Sequence, residues 1–282
     1  MPVSSMAGKL NKLEEWVART EGLPVEIVLV HDFKDQQTQK ELENLVAGAH
    51  QIPLRLFRVE YGNPGETRNF GLEKISAKWV QFADSDDELD VASSLKAIDA
   101  ARIQSEILVT NYLESSLINS EERILRHGGS LLRVSLNPGV WRMIFKRDLL
   151  SNVRFSKHRM GEDQLFLLDL DFYHRNLEFS DLFTYKYFTG NENQLTNNRR
   201  AISEIKALIF EISEKYSTLI RKNDKYASIM IARLILTLLK LESSDSVKGA
   251  LLLLFKILNR FSFMGRISVI RSLFVVYLRR IS

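Results

Sequence analysis

Residues 24–31 (PVEIVLVH) form a continuous apolar, β-branched run that stops at Asp32, the pattern of a strand buried on both faces. A polar turn over 33–36 follows, and Leu42, Leu45 and Val46 then recur at helical spacing across 39–49. Residues 54–59 make a second strand. Gly62-Asn63-Pro64-Gly65 interrupts the chain, after which Phe70, Leu72 and Ile75 supply packing positions for a helix over about 66–77. Residues 79–83 read as a third strand, 89–101 as a helix and 106–110 as a strand. Strands alternating with helices predict an α/β fold with a doubly wound, mostly parallel sheet flanked by helices. In such sheets ligands bind beyond the carboxyl ends of the strands. Asp32 and the run Asp84-Ser85-Asp86-Asp87 both stand at such ends.

Beyond residue 140 the pattern loosens. Residues 141–150 are amphipathic and suggest a helix, 162–174 read as a helix, and 177–188 as strands with aromatic character. From Arg199 only helical periodicity remains, without proline and with Gly249 and Gly265 as the breaks. This predicts a sheet-bearing domain over 1–197 and an all-helical extension over 198–282.

Charge sharpens that division. Residues 196–282 hold 16 Lys/Arg against 6 Asp/Glu, whereas residues 1–195 hold 23 against 29. Within 248–282 there are seven cations and no acid, interleaved with leucine and phenylalanine, a composition suited to the headgroup region of an anionic membrane leaflet. A nucleic-acid partner is not expected, because the first 195 residues are acidic. The chain has no cysteine, which excludes disulfides and thiolate metal sites. No secretory signal and no spanning apolar run is evident, so the expected location is cytoplasmic, with peripheral contact at the inner face of the membrane. There is no Gly-x-Ser-x-Gly elbow, no P-loop and no metal-ligand spacing among the five histidines.

Three carboxylates within four residues repel one another unless solvent or a cation neutralises them, and hard divalent ions take oxygen ligands of this kind. A capped, solvated turn is the alternative reading of Asp84-Ser85-Asp86-Asp87. Ahead of it lies Gly62-Asn63-Pro64-Gly65-Glu66-Thr67-Arg68-Asn69-Phe70-Gly71-Leu72. A Gly-rich turn and an Arg-Asn-x-Gly-Leu helix before a strand ending in Asp-x-Asp-Asp resemble glycosyltransferase family 2, over roughly residues 2–195.

The resemblance implies a GT-A fold, inverting transfer from a nucleotide-diphosphate sugar, expected to be a UDP-sugar, and Mn²⁺ or Mg²⁺ as cofactor. Asp86 and Asp84 are the implied metal positions, and Asp32, Arg68, Asp84 and Pro2 the implied donor contacts. Gly161-Glu162-Asp163-Gln164 resembles the family's Glu-Asp motif, with Asp163 as general base on the acceptor hydroxyl beside Glu162. Trp141 falls in the segment between the donor and acceptor subsites, where a ring can stack on a sugar, and residues 191–196 match a closing loop. The implied acceptor is a glycan or a lipid-linked molecule of surface polysaccharide or glycolipid synthesis.

Two departures stand beside these matches. His31, Phe33 and Lys34 replace the usual Asp, Gly and Ser around Asp32, and the apolar residues expected before Pro2 are absent, so the first strand reads as truncated. A degenerate, non-catalytic member that binds a nucleotide sugar or a partner is therefore the alternative, with a nucleotidyltransferase behind it.

Overall fold

The computed structural model describes residues 1–4, 9–32, 35–48, 50–190, 200–215, 225–242 and 247–281. The chain divides into two units. The first comprises Met1–Gly129, Gly139–Lys157 and Asp169–Asn191, the second Ser130–Pro138, His158–Leu168 and Glu192–Ser282.

In the first unit β1 (Pro2–Val3), β2 (Ile27–Asp32) and β3 (Leu54–Val59) form a parallel sheet with β2 in the middle. The continuous apolar run is explained by this position, since all six residues of β2 are buried. Alternation then assigns the faces. Ile27 and Leu29 join a cluster with Leu13, Trp16 and Val17 of α1 (Leu10–Thr20) and Leu42 of α2 (Gln36–Val46). Val28 and Val30 pack on the other side with Phe70 and Ile75, at and just beyond α3 (Pro64–Lys74). Helix α1 was not among the predicted elements, although its buried Leu13, Trp16, Val17 and Thr20 follow helical spacing. Helix α3 starts earlier than predicted because Pro64 occupies its first turn and the Asn63 side chain caps it, accepting from the Glu66 N–H at 3.0 Å.

The second sheet runs β4-β8-β6-β9-β5, built from β4 (Trp79–Gln81), β5 (Glu88–Leu89), β6 (Ile107–Ser116), β8 (Met143–Lys146) and β9 (Leu177–Thr189), with β7 (Glu122–Leu125) on β6. It is mixed: β6 and β9 pair in parallel, and the remaining pairs are antiparallel. Helix α4 (Val91–Asp99) follows β5, capped by the Asp90 side chain.

The helix suggested for residues 141–150 is corrected to a 3₁₀ turn (Val140–Arg142), strand β8 and a second 3₁₀ turn (Arg147–Leu150). Met143, Ile144 and Phe145 are at most 1% exposed, because β8 fills the place between β4 and β6. Pairing on both edges outweighs a 3.6-residue pattern in so short a segment. The helix predicted over 162–174 stops early for a local reason. Helix α6 (Glu162–Asp169) gives way to Asp171 in the left-handed region (φ 54°) and a 3₁₀ turn, Phe172–His174.

The second unit is helical: α5 (Leu131–Leu136), most of α6, α7 (Arg200–Lys215), α8 (Lys225–Glu242), α9 (Val247–Leu258) and α10 (Phe263–Ile281). Ile229 and Ala232 of α8 meet Val276 of α10, with Leu132, Leu136 and Leu273 around them. Gly161, just before α6, sits at φ +76°, and a Cβ there would strike the Leu208 side chain of α7. No helix among the described residues is long and apolar enough to cross a membrane.

Candidate active site

Asp32 ends β2 and organises the Gly-rich turn. One carboxylate oxygen accepts the N–H groups of Tyr61 (2.7 Å) and Gly62 (2.9 Å), the other the N–H of Asn63 (3.0 Å) and the hydroxyl of Thr67 (2.6 Å). All four partners belong to the turn or to the first turns of α3. That turn is docked in its own unit on residues 155–157. Asn63 Nδ2 donates to the Lys157 carbonyl, and Asn69 pairs with the backbone of Phe155 in both directions, at 2.9 and 2.8 Å. Gly65 allows the approach, since a Cβ there would lie 2.5 Å from the Ser156 carbonyl oxygen. Phe33 and Lys34, the substitutions next to Asp32, lie outside the described residues.

From the buried face of α3, Arg68 reaches across to the second strand end. Its Nη2 donates to Asp84 Oδ1 at 2.7 Å with the arginine side chain only 6% exposed, and its guanidinium lies over the Phe155 ring at 5.4 Å. The Asp84 N–H donates to the Tyr185 hydroxyl oxygen (3.0 Å), and that hydroxyl donates to Asp87 Oδ2 (2.9 Å). The other oxygen of Asp87 accepts the Phe188 N–H at 2.9 Å. Burial, and then the charge of Asp84, push the Asp87 carboxyl up to about 8. The same two causes raise Asp86 above the usual carboxylate range. Burial also raises the Tyr185 phenol well above its ordinary value, so it serves as a hydrogen-bonding hydroxyl.

Trp141 stands beside this turn. Its ring stacks on Tyr185 (centroids 4.5 Å apart, planes 23° apart) and on Tyr187 (5.4 Å, 7°), and meets Tyr112 edge-on at 4.6 Å. Pro2 lies in β1 in register with Val30, two positions before Asp32 on the neighbouring strand. Glu162 and Asp163 open α6 in the second unit, where acidic side chains suit a helix N-terminus. The segment before them is anchored by His158, whose Nε2 meets Glu211 of α7 at 2.8 Å. The loop over 191–196 lies outside the described residues.

Among the described residues no three His, Asp or Glu side chains converge as a closed cation cage. The donor chemistry nonetheless suits Mn²⁺ or Mg²⁺. Asp84 and Asp86 offer hard oxygens, Asp86 makes no hydrogen bond to another described residue, and desolvation with the charge of Asp84 raises its proton affinity against the opposing charges of Lys9 and Arg68. Asp87 fits less well, because both of its oxygens are engaged by Tyr185 and Phe188. Tyr185 is the site residue that sequence reasoning missed. Its aromatic strand gave a local signal, but only the pairing of β9 with β5 and β6 brings it to a turn about a hundred residues earlier.

Solved structures share this architecture. S. aureus TarS 1-349 in complex with UDP-GlcNAc matches with a TM-score of 0.69 at 17% identity, covering 98% of this chain and 88% of that one. The longer S. aureus TarS chain matches with a TM-score of 0.64 at 17% identity, and this chain, 98% covered, spans 53% of it. Mannosyltransferase PcManGT from Pyrobaculum calidifontis, in complex with GDP-Man and Mn²⁺, gives 0.51 at 11% identity, covering 99% of this chain and 85% of that one. At these identities the likeness speaks for the fold alone, a GT-A-like α/β fold with C-terminal helices. No curated protein matches the sequence. The model of the family described as "Glycosyl transferase family 2" matches residues 10–175, more than half of the chain, around the turn, the Arg68 helix and the acidic cluster, and the chain belongs to that family.

Proposed function

We propose that the chain is an inverting glycosyltransferase that moves a hexosyl or related sugar from a UDP-sugar to a hydroxyl of a glycan or lipid-linked acceptor. Residues 1–197 are the catalytic domain and 198–282 its helical extension. The observation that carries the reading is the Arg68–Asp84 pair at 2.7 Å beside an Asp86 carboxylate that accepts no hydrogen bond from another described residue. Arg68 then lies against the donor diphosphate, where a guanidinium forks to oxygens and stays charged. Asp86, with Asp84, would hold a divalent cation that supplies positive charge to the diphosphate oxygens. Asp32 serves the donor indirectly, by holding the turn that carries Arg68, and Pro2 lines the base end of the same pocket. Trp141 offers a ring face to a sugar. Asp163 takes the proton of the acceptor hydroxyl as its oxygen attacks the anomeric carbon and the bond to the diphosphate breaks from the opposite face, with Glu162 beside it. TarS bound to UDP-GlcNAc and PcManGT bound to GDP-Man and Mn²⁺ support the donor class and the cofactor by analogy.

The test is a thermal-shift panel of nucleotide sugars with Mn²⁺ or Mg²⁺. Wild type should be stabilised by a UDP-sugar only with metal, and Asp86→Ala should lose that response. Asp163→Ala should keep the response and lose transfer. A wild type that no nucleotide stabilises sinks the reading. The saturation of Asp32 by its own turn favours one rival, a degenerate member that binds a nucleotide sugar without turnover; metal-dependent binding with neither transfer nor donor hydrolysis would establish it.

We further infer peripheral contact with the inner face of a membrane through residues 248–282, as part of surface polysaccharide or glycolipid synthesis. Leu252, Phe255, Phe263, Phe274 and Tyr277 are exposed there among cations with no acid. Co-sedimentation with anionic vesicles but not with zwitterionic ones is expected; equal recovery from both would refute it.

A further inference from the structure

The Tyr185 hydroxyl sits where two parts of the turn could otherwise move apart. It accepts from the backbone of Asp84 at 3.0 Å and donates to the side chain of Asp87 at 2.9 Å, so one oxygen fixes both ends of the Asp84-Ser85-Asp86-Asp87 run. Asp87 completes the brace by accepting the Phe188 N–H at 2.9 Å, which ties the run to β9 at a second point. The Tyr185 ring is 3% exposed and stacks on Trp141 at 4.5 Å. The same side chain therefore joins the acidic turn to the aromatic platform.

We propose that Tyr185 and Asp87 form a positioning clamp that sets the Asp84 and Asp86 carboxylates relative to one another and to the Trp141 ring, and that Asp87 is a structural carboxylate and no cation ligand. This rests on the reading of the 84–87 turn as the donor and cation site. The chemistry follows from what each oxygen already does. A carboxylate with one oxygen on a phenol and the other on a backbone N–H has its best lone pairs spent, whereas Asp86 has none spent on another described residue. Without the clamp the turn would have to gather two mutually repelling carboxylates around each arriving cation, at a cost in affinity. With it, the cation end and the sugar end of the donor are held at a fixed separation, which governs where the anomeric carbon lies.

Four variants test this by amide exchange, calorimetric titration of Mn²⁺ with UDP, and donor kinetics. Tyr185→Phe keeps the ring and its stack and removes only the oxygen. It should speed exchange at the Asp84 amide and weaken Mn²⁺–UDP binding about tenfold, the effect typical of losing a residue that orients a metal ligand, with the change appearing in donor KM before kcat. Asp87→Ala breaks the clamp from its other side without touching the stack and should match it, so the proposal stays testable if one variant folds poorly. Asp87→Asn can still accept from Phe188 and donate to Tyr185, and should bind within about threefold of wild type, whereas Asp86→Asn should lose cation binding altogether. Wild-type exchange and affinity in Tyr185→Phe overturn the clamp, as does an Asp87→Asn variant that loses as much as Asp86→Asn. A wild type that binds no Mn²⁺–UDP sinks the transferase reading instead.

Discussion

Asp32 closes β2 and Asp84 to Asp87 follow β4, so chain position alone makes the two sites equivalents; their surroundings do not. The Asp32 carboxylate accepts four hydrogen bonds from its own turn, those from Asn63 and Thr67 being buried. Asp86 and Asp87 are half-buried close to Asp84 and both hold their protons more tightly than free carboxylates, but only Asp87 has its oxygens taken, by Tyr185 and Phe188. A carboxylate whose lone pairs are filled by backbone is part of the scaffold. One that is left crowded and short of donors is poised for a cation or a polar ligand. Arg68 joins the two, since its helix is held by the first site and its guanidinium serves the second.

The largest effect expected from breaking this contrast is at Asp32. Asp32→Ala removes the acceptor of three backbone N–H groups, of which that of Asn63 is buried, while the Thr67 hydroxyl keeps the Asn63 carbonyl, and should lower stability by about 3 kcal/mol in urea unfolding. A loss comparable to a surface substitution would show that the turn does not depend on it. Next is Gly65→Ala, whose Cβ would be forced to 2.5 Å from the Ser156 carbonyl oxygen. The cost should be about 2 kcal/mol, with donor affinity falling as Arg68 shifts with its helix.

A pH titration sharpens the other half. The Asp87 carboxyl is raised from 3.8 to about 8 in the folded chain, so the folded state keeps a proton that the unfolded state releases. Its contribution to stability is full below about pH 4 and fades as pH rises through about 8. Metal-free wild type should therefore lose melting temperature relative to Asp87→Asn between about pH 5 and about pH 9, by a few degrees. Comparing the two proteins removes the opposite slope from Glu26 and Glu178, whose lowered values add stability above their unfolded range. Parallel pH curves would refute the raised proton affinity of Asp87. The smallest effect is Asp86→Asn, which should leave metal-free stability unchanged or raise it by at most about 1 kcal/mol while removing cation binding. Marked destabilisation would make Asp86 a scaffold residue like Asp32.

Much of the first unit was legible along the chain. The β2 run, the start signal Asn63-Pro64 and the acidic cluster at a strand end are local, and each needs only its own neighbours to be read. Helix α1 was legible too, through Leu13, Trp16, Val17 and Thr20, and went unread. Strand β8 was not, because its identity is decided by the empty place between β4 and β6 and not by its own periodicity. The same holds for the mixed character of the second sheet, which depends on which strands become neighbours.

By itself the sequence determined the family, the strand-end carboxylates and the helical, basic character of the last 87 residues, because short-range periodicity, turn chemistry and composition are carried by contiguous residues. Only the tertiary structure decided what each carboxylate does. Hydrogen-bond partners drawn from 29 to 35 residues away satisfied Asp32, and partners from about a hundred residues away clamped Asp84 and Asp87. Burial then raised the proton affinity of Asp86 and Asp87, since the energy of a charge depends on the partners and the solvent that the fold leaves to it.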